Sequence, residues 1–341
     1  MRRNSFDDVR LIAALTVLVA HSPLAYGGAI DIRLGGFFAG SLAVHVFFAL
    51  SGYLIAQSWF TDPDLTRFLA RRALRLVPAL LVVVLAAMFV IGPVFTTLDL
   101  GAYFASAEMW SYLGNAALML QYKLPGVFES QPEPQLGVNP PLWSLAYEAL
   151  CYIGLVGAAV VCKRCPPLVA PLLMAGVVVL SSSAMMLPQH AHFACLCFAL
   201  GVALYRYRDS IVWHPGVGFL VFAVFTVLAP QSPEQQFATL AAVSYTAVAV
   251  GRSTWRPLRL VTRHGDISYG TYIWAYPVQR VVNELLGFDS HWLVSLGLCL
   301  VATLPIAWLS WRIVERPALA FKPQGMKKDP MNDAKAGTVP S

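Results

Sequence analysis

Apolar residues in this chain come in runs approaching twenty, separated by short polar or proline-containing segments. At a rise of 1.5 Å per residue, about 20 apolar residues are needed to cross about 30 Å of hydrocarbon, whereas a soluble surface helix carries only a one-sided apolar stripe. Runs of the first kind predict ten helices: residues 9–27, 37–59, 76–95, 142–161, 168–187, 190–205, 212–230, 235–251, 267–286 and 291–313. The pattern lapses twice. Residues 96–141 make one long outer segment, with an amphipathic stretch from Tyr103 to Tyr122 followed by LPGVFESQPEPQLGVNPP. A loop of that length in a compact protein usually carries function. Residues 321–341 are polar with Pro and Gly, and read as a disordered cytoplasmic tail. The expected architecture is an all-α integral membrane bundle over residues 1–320.

Charge tests that reading independently. Short cytoplasmic loops collect Lys and Arg. With the N-terminus inside, ten crossings put twenty of the 24 basic residues on the cytoplasmic side, and only Arg33 and Lys123 in outer loops. Both termini are therefore expected in the cytoplasm. Composition agrees: 57% of the 341 residues are hydrophobic and 12% charged. The net charge of +6 is spread among loops and implies no nucleic-acid partner. The first span is too long and too charged for a cleaved leader and reads as retained. Six cysteines scattered through helices and inner loops do not form a disulfide framework. Cys162 and Cys165 form a lone CxxC with no second pair to complete a zinc site, and no metal is expected.

Candidate chemistry starts with Arg10 and His21. Eleven residues apart at about 100° each, they return to one helix face about three turns apart. Ionisable groups inside a membrane-length helix are costly and mark sites by default. His45 and Glu148 fall at a similar depth, in the outer half of their helices. A carboxylate beside a histidine fixes its tautomer and stabilises the imidazolium, which suits general-base work. His45 alone fits helix packing as well. At the other face, FLARRALRLVP places Arg71, Arg72 and Arg75 at the start of a helix. Guanidinium groups three apart share a face and can clamp phosphate, or hold lipid head groups. Ser51 and Ser144 show no adjacent base and read as helix-contact hydroxyls.

Six segments in order then carry a resemblance. They are the Arg10–His21 pair, HVFFALSGYLI (His45 to Ile55), RALR (Arg72 to Arg75), PPLWSLAYE (Pro140 to Glu148), ISYGTYIWAYPVQ (Ile267 to Gln279) and VERP (Val314 to Pro317). The chain resembles the acyltransferase 3 family, integral membrane enzymes that typically O-acetylate bacterial surface and exported polysaccharides. The resemblance implies a ten-helix bundle in the bacterial inner membrane, acetyl-coenzyme A as donor, and as acceptor a polysaccharide hydroxyl or its lipid-linked precursor. By motif, His21 would be the catalytic histidine and Arg10 its functional partner. Arg72 and Arg75, with neighbouring Arg71, would bind coenzyme A phosphates. Glu148 would orient His21 or touch the sugar. His45, Ser51, Trp143, Tyr272 and Gln279 are supporting candidates, and polysaccharide-assembly proteins are candidate partners.

Two positions depart from the family pattern. Many relatives have an acidic residue where His45 stands, and histidine where Ala275 stands. Any mechanism needing that second histidine is closed to this chain. The rival reading is a transporter or flippase, since intramembrane Arg, His and Glu also suit proton coupling. Against it, the chain shows no pair of half-chain repeats. One geometric question stays open at this stage. The arginines and His21 belong to opposite faces, so either the pantetheine arm reaches into the bundle or the acyl group is relayed.

Overall fold

The computed structural model describes residues 4–25, 32–34, 36–131, 137–182, 188–228, 232–254, 257, 262, 265–287 and 291–323. The expected tail from 324 onward, Arg2, Arg3, Arg256, Arg259 and Arg263 lie outside the described residues. Among those described, ten helices of at least 14 residues overlap the ten expected stretches. In chain order they are α1 (Phe6–Ala25), α2 (Ala39–Thr61), α3 (Leu65–Ala86), α4 (Trp143–Val161), α5 (Val169–Ser182), α6 (Gln189–Arg206), α7 (Pro215–Leu228), α8 (Pro233–Arg252), α9 (Ser268–Leu286) and α10 (Trp292–Ser310).

Four helical stretches are long and apolar enough to cross a membrane: Ala39–Thr61, Leu65–Phe95, Pro140–Val161 and Trp292–Ala320. Their outward faces stay apolar where a soluble helix would turn polar: Val90, Ile153, Val161 and Val301 are all exposed. The structure adds to the expected third span. Its helix begins at Leu65, capped by the Asp64 carboxylate accepting from the Arg67 N–H at 2.8 Å, and runs on through a π turn at Ala87–Ile91 to Phe95. The basic first three turns therefore belong to the same rod as the apolar remainder.

Small residues set the tightest packing. A Cβ on Gly52 of α2 would lie 2.1 Å from the Phe198 carbonyl oxygen of α6, and one on Gly201 would lie 2.1 Å from that of Ala49. Two backbones approach this closely only where both helices present glycine. Polar side chains fix α9 to α1. Gln279 Nε2 donates to the Leu18 carbonyl (2.7 Å) and to Ser22 Oγ (2.8 Å), and Asn283 Nδ2 donates to the Ala25 carbonyl (2.7 Å). Gln279 thus serves helix registration.

The described residues of the long segment between α3 and α4, expected on the outer side, form local structure. Short helices Leu100–Ala105 and Ala107–Ser111 lead into a 3₁₀ turn at Tyr112–Ala117, closed by Asn115, which bonds both ways with Gln121. Its far end enters the bundle: Gln131 Nε2 donates to the Arg280 carbonyl and Asn139 Nδ2 to that of Ile273, at 2.8 and 2.9 Å. Between α1 and α2, strands Arg33–Leu34 and Phe37–Phe38 pair antiparallel around Gly36 (φ 80°) and bring Phe38 against His21.

Candidate active site

The functional side chains form layers along the bundle axis. At the end that carries the chain's beginning, Arg10 Nη1 lies 3.6 Å from Asp266 and 3.7 Å from Asp7. Arg75 reaches Asp266 at 2.5 Å and Glu315 at 3.5 Å, with the Tyr269 and Trp311 rings beside its guanidinium. Glu315 enters through a π turn, Trp311–Glu315, that interrupts the end of α10. Burial would raise the Asp266 carboxyl, but the Arg75 and Arg10 charges and the Ser268 hydroxyl and N–H outweigh it and hold it below the usual carboxylate range. At the rim, Arg67 and Arg71 both clasp Asp62 (2.6 and 2.5 Å) and pull its carboxyl down to about 2. Arg71 also donates to the Pro323 carbonyl.

The next layer holds Glu148. Its Oε1 accepts from Ser51 Oγ at 2.5 Å and from the Tyr152 hydroxyl at 2.6 Å. Arg72 lies in the field of Glu148, packs over Phe68, and keeps a buried Nε without a hydrogen-bond partner. Of the three arginines expected to bind phosphate, Arg72 has the unspent donor, while Arg71 and Arg75 are paired with acids. One turn beyond Glu148, Tyr272 donates to the Pro141 carbonyl (2.8 Å) and accepts from Ser144 Oγ (2.7 Å), with Phe47 edge-on to its ring at 5.6 Å.

A cavity of about 1070 Å³ joins these layers. It follows α2 from Asp62 to Val44, eighteen residues or about 27 Å. It is bordered by Arg10, Arg71, Arg72, Arg75, Arg252, Ser51, Glu148 and Tyr272.

His21 occupies the layer beyond. Its ring lies edge-on to Phe38 and Tyr276, and it packs so closely on Gly40 that a Cβ there would fall 2.8 Å from Cε1. Nδ1 sits 2.8 Å from the Val17 carbonyl. A carbonyl oxygen only accepts, so Nδ1 carries the proton and the neutral ring presents Nε2 as a lone pair. Arg10 and His21 both face α9, as their spacing requires, meeting Asp266 and Tyr276 respectively.

Other expected contacts differ. Glu148 hydrogen-bonds Ser51 and Tyr152, and His21 hydrogen-bonds its own helix, so Glu148 does not orient His21 here. Ser51 does have an acid beside it, because α2 and α4 pair at that level. His45 is buried between Phe37 and Phe193, with Nδ1 unpartnered. Trp143 packs edge-on against Tyr147 and His190. Asp266, Tyr152, Phe47 and Glu315 were missed as site residues. Asp266 stands immediately before the ISYGTY segment, Glu315 inside VERP and Phe47 inside HVFFALSGYLI, whereas Tyr152 lies in none of the six segments. Among the described residues, no three His, Cys, Asp or Glu side chains group as a metal site would require.

A family model described as an acyltransferase domain matches residues 3–312. The chain belongs to the acyltransferase 3 family. An O-acetyl transferase of Shigella phage Sf6 is 30% identical to it, over 92% of this chain and 96% of the relative. Nodulation protein 10 of Rhizobium leguminosarum bv. viciae is 27% identical, over 94% of both. The peptidoglycan O-acetyltransferase OatA of Listeria monocytogenes is 23% identical over 92% of this chain, which spans 55% of that protein. No solved structure matches it. The acyltransferase is thus a helical, multi-pass membrane protein.

Proposed function

We propose that this acyltransferase moves a short acyl group, acetyl, from acyl-coenzyme A to a hydroxyl of a bacterial cell-surface or exported polysaccharide or its lipid-linked precursor, with His21 as general base. The observation that carries the reading is the cavity. It is arginine-lined at the end expected in the cytoplasm and climbs about 27 Å of α2, to one turn short of the His21 layer. That length, counted from the Asp62 rim, suits an extended pantetheine arm with its charged end among the rim arginines, Arg72 partway along it and its thioester leading. Direct transfer then needs only the Phe47 and Tyr272 layer between the thioester and His21 to open.

In that step the acceptor O–H gives its proton to His21 Nε2 as oxygen attacks the acyl carbon. The new C–O bond forms, the C–S bond breaks, and the departing thiolate takes the proton back from the imidazolium. A positioned base contributes about 10² to 10⁴ in rate. The Val17 carbonyl keeps Nδ1 protonated and so supports Nε2 as that base. The names of the phage relative, an O-acetyl transferase, and the Listeria relative, a peptidoglycan O-acetyltransferase, support transfer to an oxygen of the acceptor.

The test is transfer of labelled acetyl from acetyl-coenzyme A, by purified detergent-solubilised protein, into cell-envelope glycan fractions. Base-labile label with wild type and none with His21→Ala is the expected result. No transfer to any fraction, together with no coenzyme A binding, would return the transporter reading.

A further inference from the structure

The cavity stops at a layer made by Val44, Phe47, Ser144, Leu145 and Tyr272, and none of His21, Gly40 or Tyr276 in the next layer borders it. Two aromatic rings dominate that end. Tyr272 is fixed by its bonds to Pro141 and Ser144, and Phe47 packs edge-on against it. Both rings border the cavity, Tyr272 buried and Phe47 only partly so. We infer that Phe47, braced by Tyr272, sets the length of the acyl group, admitting acetyl and excluding longer chains. This rests on the proposed occupancy of the cavity by an acyl-coenzyme A.

The argument runs from the two ends. Arginines toward the Asp62 end of the cavity, Arg71 among them, hold the charged end of the donor, and Arg72 lies partway along, so the acyl carbon leads toward the Phe47 layer. There each added methylene must displace a ring that its neighbours hold. Tyr272 resists through two hydrogen bonds, and Phe47 through close packing, which yields only at an energetic cost. Pockets discriminate single methylenes by about 10- to 200-fold, so one or two extra carbons suffice for strong selection. Phe47 is apolar and makes no hydrogen bond through its side chain. Trimming it therefore widens the end without disturbing the Ser144–Tyr272–Pro141 contacts.

The experiment compares kcat/KM for acetyl-, propionyl-, butyryl- and hexanoyl-coenzyme A with one glycan fraction. The full chain in detergent is used, and ester identity is read by mass. Wild type is expected to prefer acetyl over butyryl by at least about 10-fold. Phe47→Ala brings butyryl level with or ahead of acetyl, and Phe47→Leu lies between. If Phe47→Ala does not fold, Phe47→Leu and Tyr272→Phe carry the comparison, with expected loss of selectivity in each. Equal use of acetyl and butyryl by wild type overturns the inference. So does an unchanged acyl ranking in folded Phe47 variants, including a rise in acetyl transfer alone, which would make Phe47 a gate. Failure of wild type with every acyl-coenzyme A would instead remove the donor assignment itself, and this inference with it.

Discussion

Arg10 and Arg75 converge on one oxygen of Asp266, Oδ2, at 3.6 and 2.5 Å, tying α1 and α3 to the start of α9. All three side chains are largely shielded. Removing one member of a shielded ion pair costs about 3 to 5 kcal/mol because its partner is left uncompensated. Asp266→Asn is therefore expected to lower stability in detergent by that order, measured by thermal unfolding. Adding Arg75→Gln should cost less than the sum of the two single changes, as residues in one network are non-additive.

The same carboxylate gives a pH dependence of known sign. The folded Asp266 titrates below its unfolded value of about 3.9. Its contribution is complete above that value and is lost as pH falls through the lower folded value. Between pH 5 and 9 Asp266 itself should add no slope to stability. A wild-type curve whose acid limb is unchanged by Asp266→Asn would contradict this.

Arg72 is expected to act on donor binding alone. A hydrogen bond to a charged group is worth about 1.5 to 3 kcal/mol, or about 10- to 150-fold. Arg72→Ala should raise KM for acyl-coenzyme A by that factor with kcat little changed, the mark of uniform binding. Arg71→Ala, which loosens the Asp62 rim, should change KM less.

Two glycine substitutions separate catalysis from folding. Gly40→Ala places a methyl 2.8 Å from His21 Cε1 and 2.5 Å from Phe38 Cε1, so the imidazole must shift. Transfer should drop about 10²-fold or more while unfolding temperature falls modestly. Gly201→Ala drives a methyl into the Ala49 carbonyl, part of the backbone, and should destabilise strongly by parting α2 from α6.

The sequence made some of this legible and hid the rest for definite reasons. Arg10 and His21 were readable because helical periodicity alone puts them on one face. Arg72 was readable because a basic cluster interrupts an apolar pattern. Asp266 was not, because its meaning depends on α9 beginning beside α1 and α3, a tertiary fact that no local spacing encodes. The expected Glu148–His21 contact failed for the same reason. Depth along a helix does not say which neighbours share it, and Ser51 and Tyr152 took the carboxylate. Phe47 sits in an apolar run where a cavity-facing ring and a core ring look alike.

The outer segment's grip on α9 has a thermodynamic consequence. Asn139 holds the Ile273 carbonyl, and the Pro141 carbonyl two residues on holds Tyr272, at the closed end of the cavity. On the proposed reading, an acceptor that displaces this segment from outside would move the surface against which the acyl group rests. Linkage makes such an effect mutual: whatever factor the acceptor applies to donor affinity, the donor applies to acceptor affinity. The two substrates, arriving from opposite sides of a membrane, would be felt by each other before they meet.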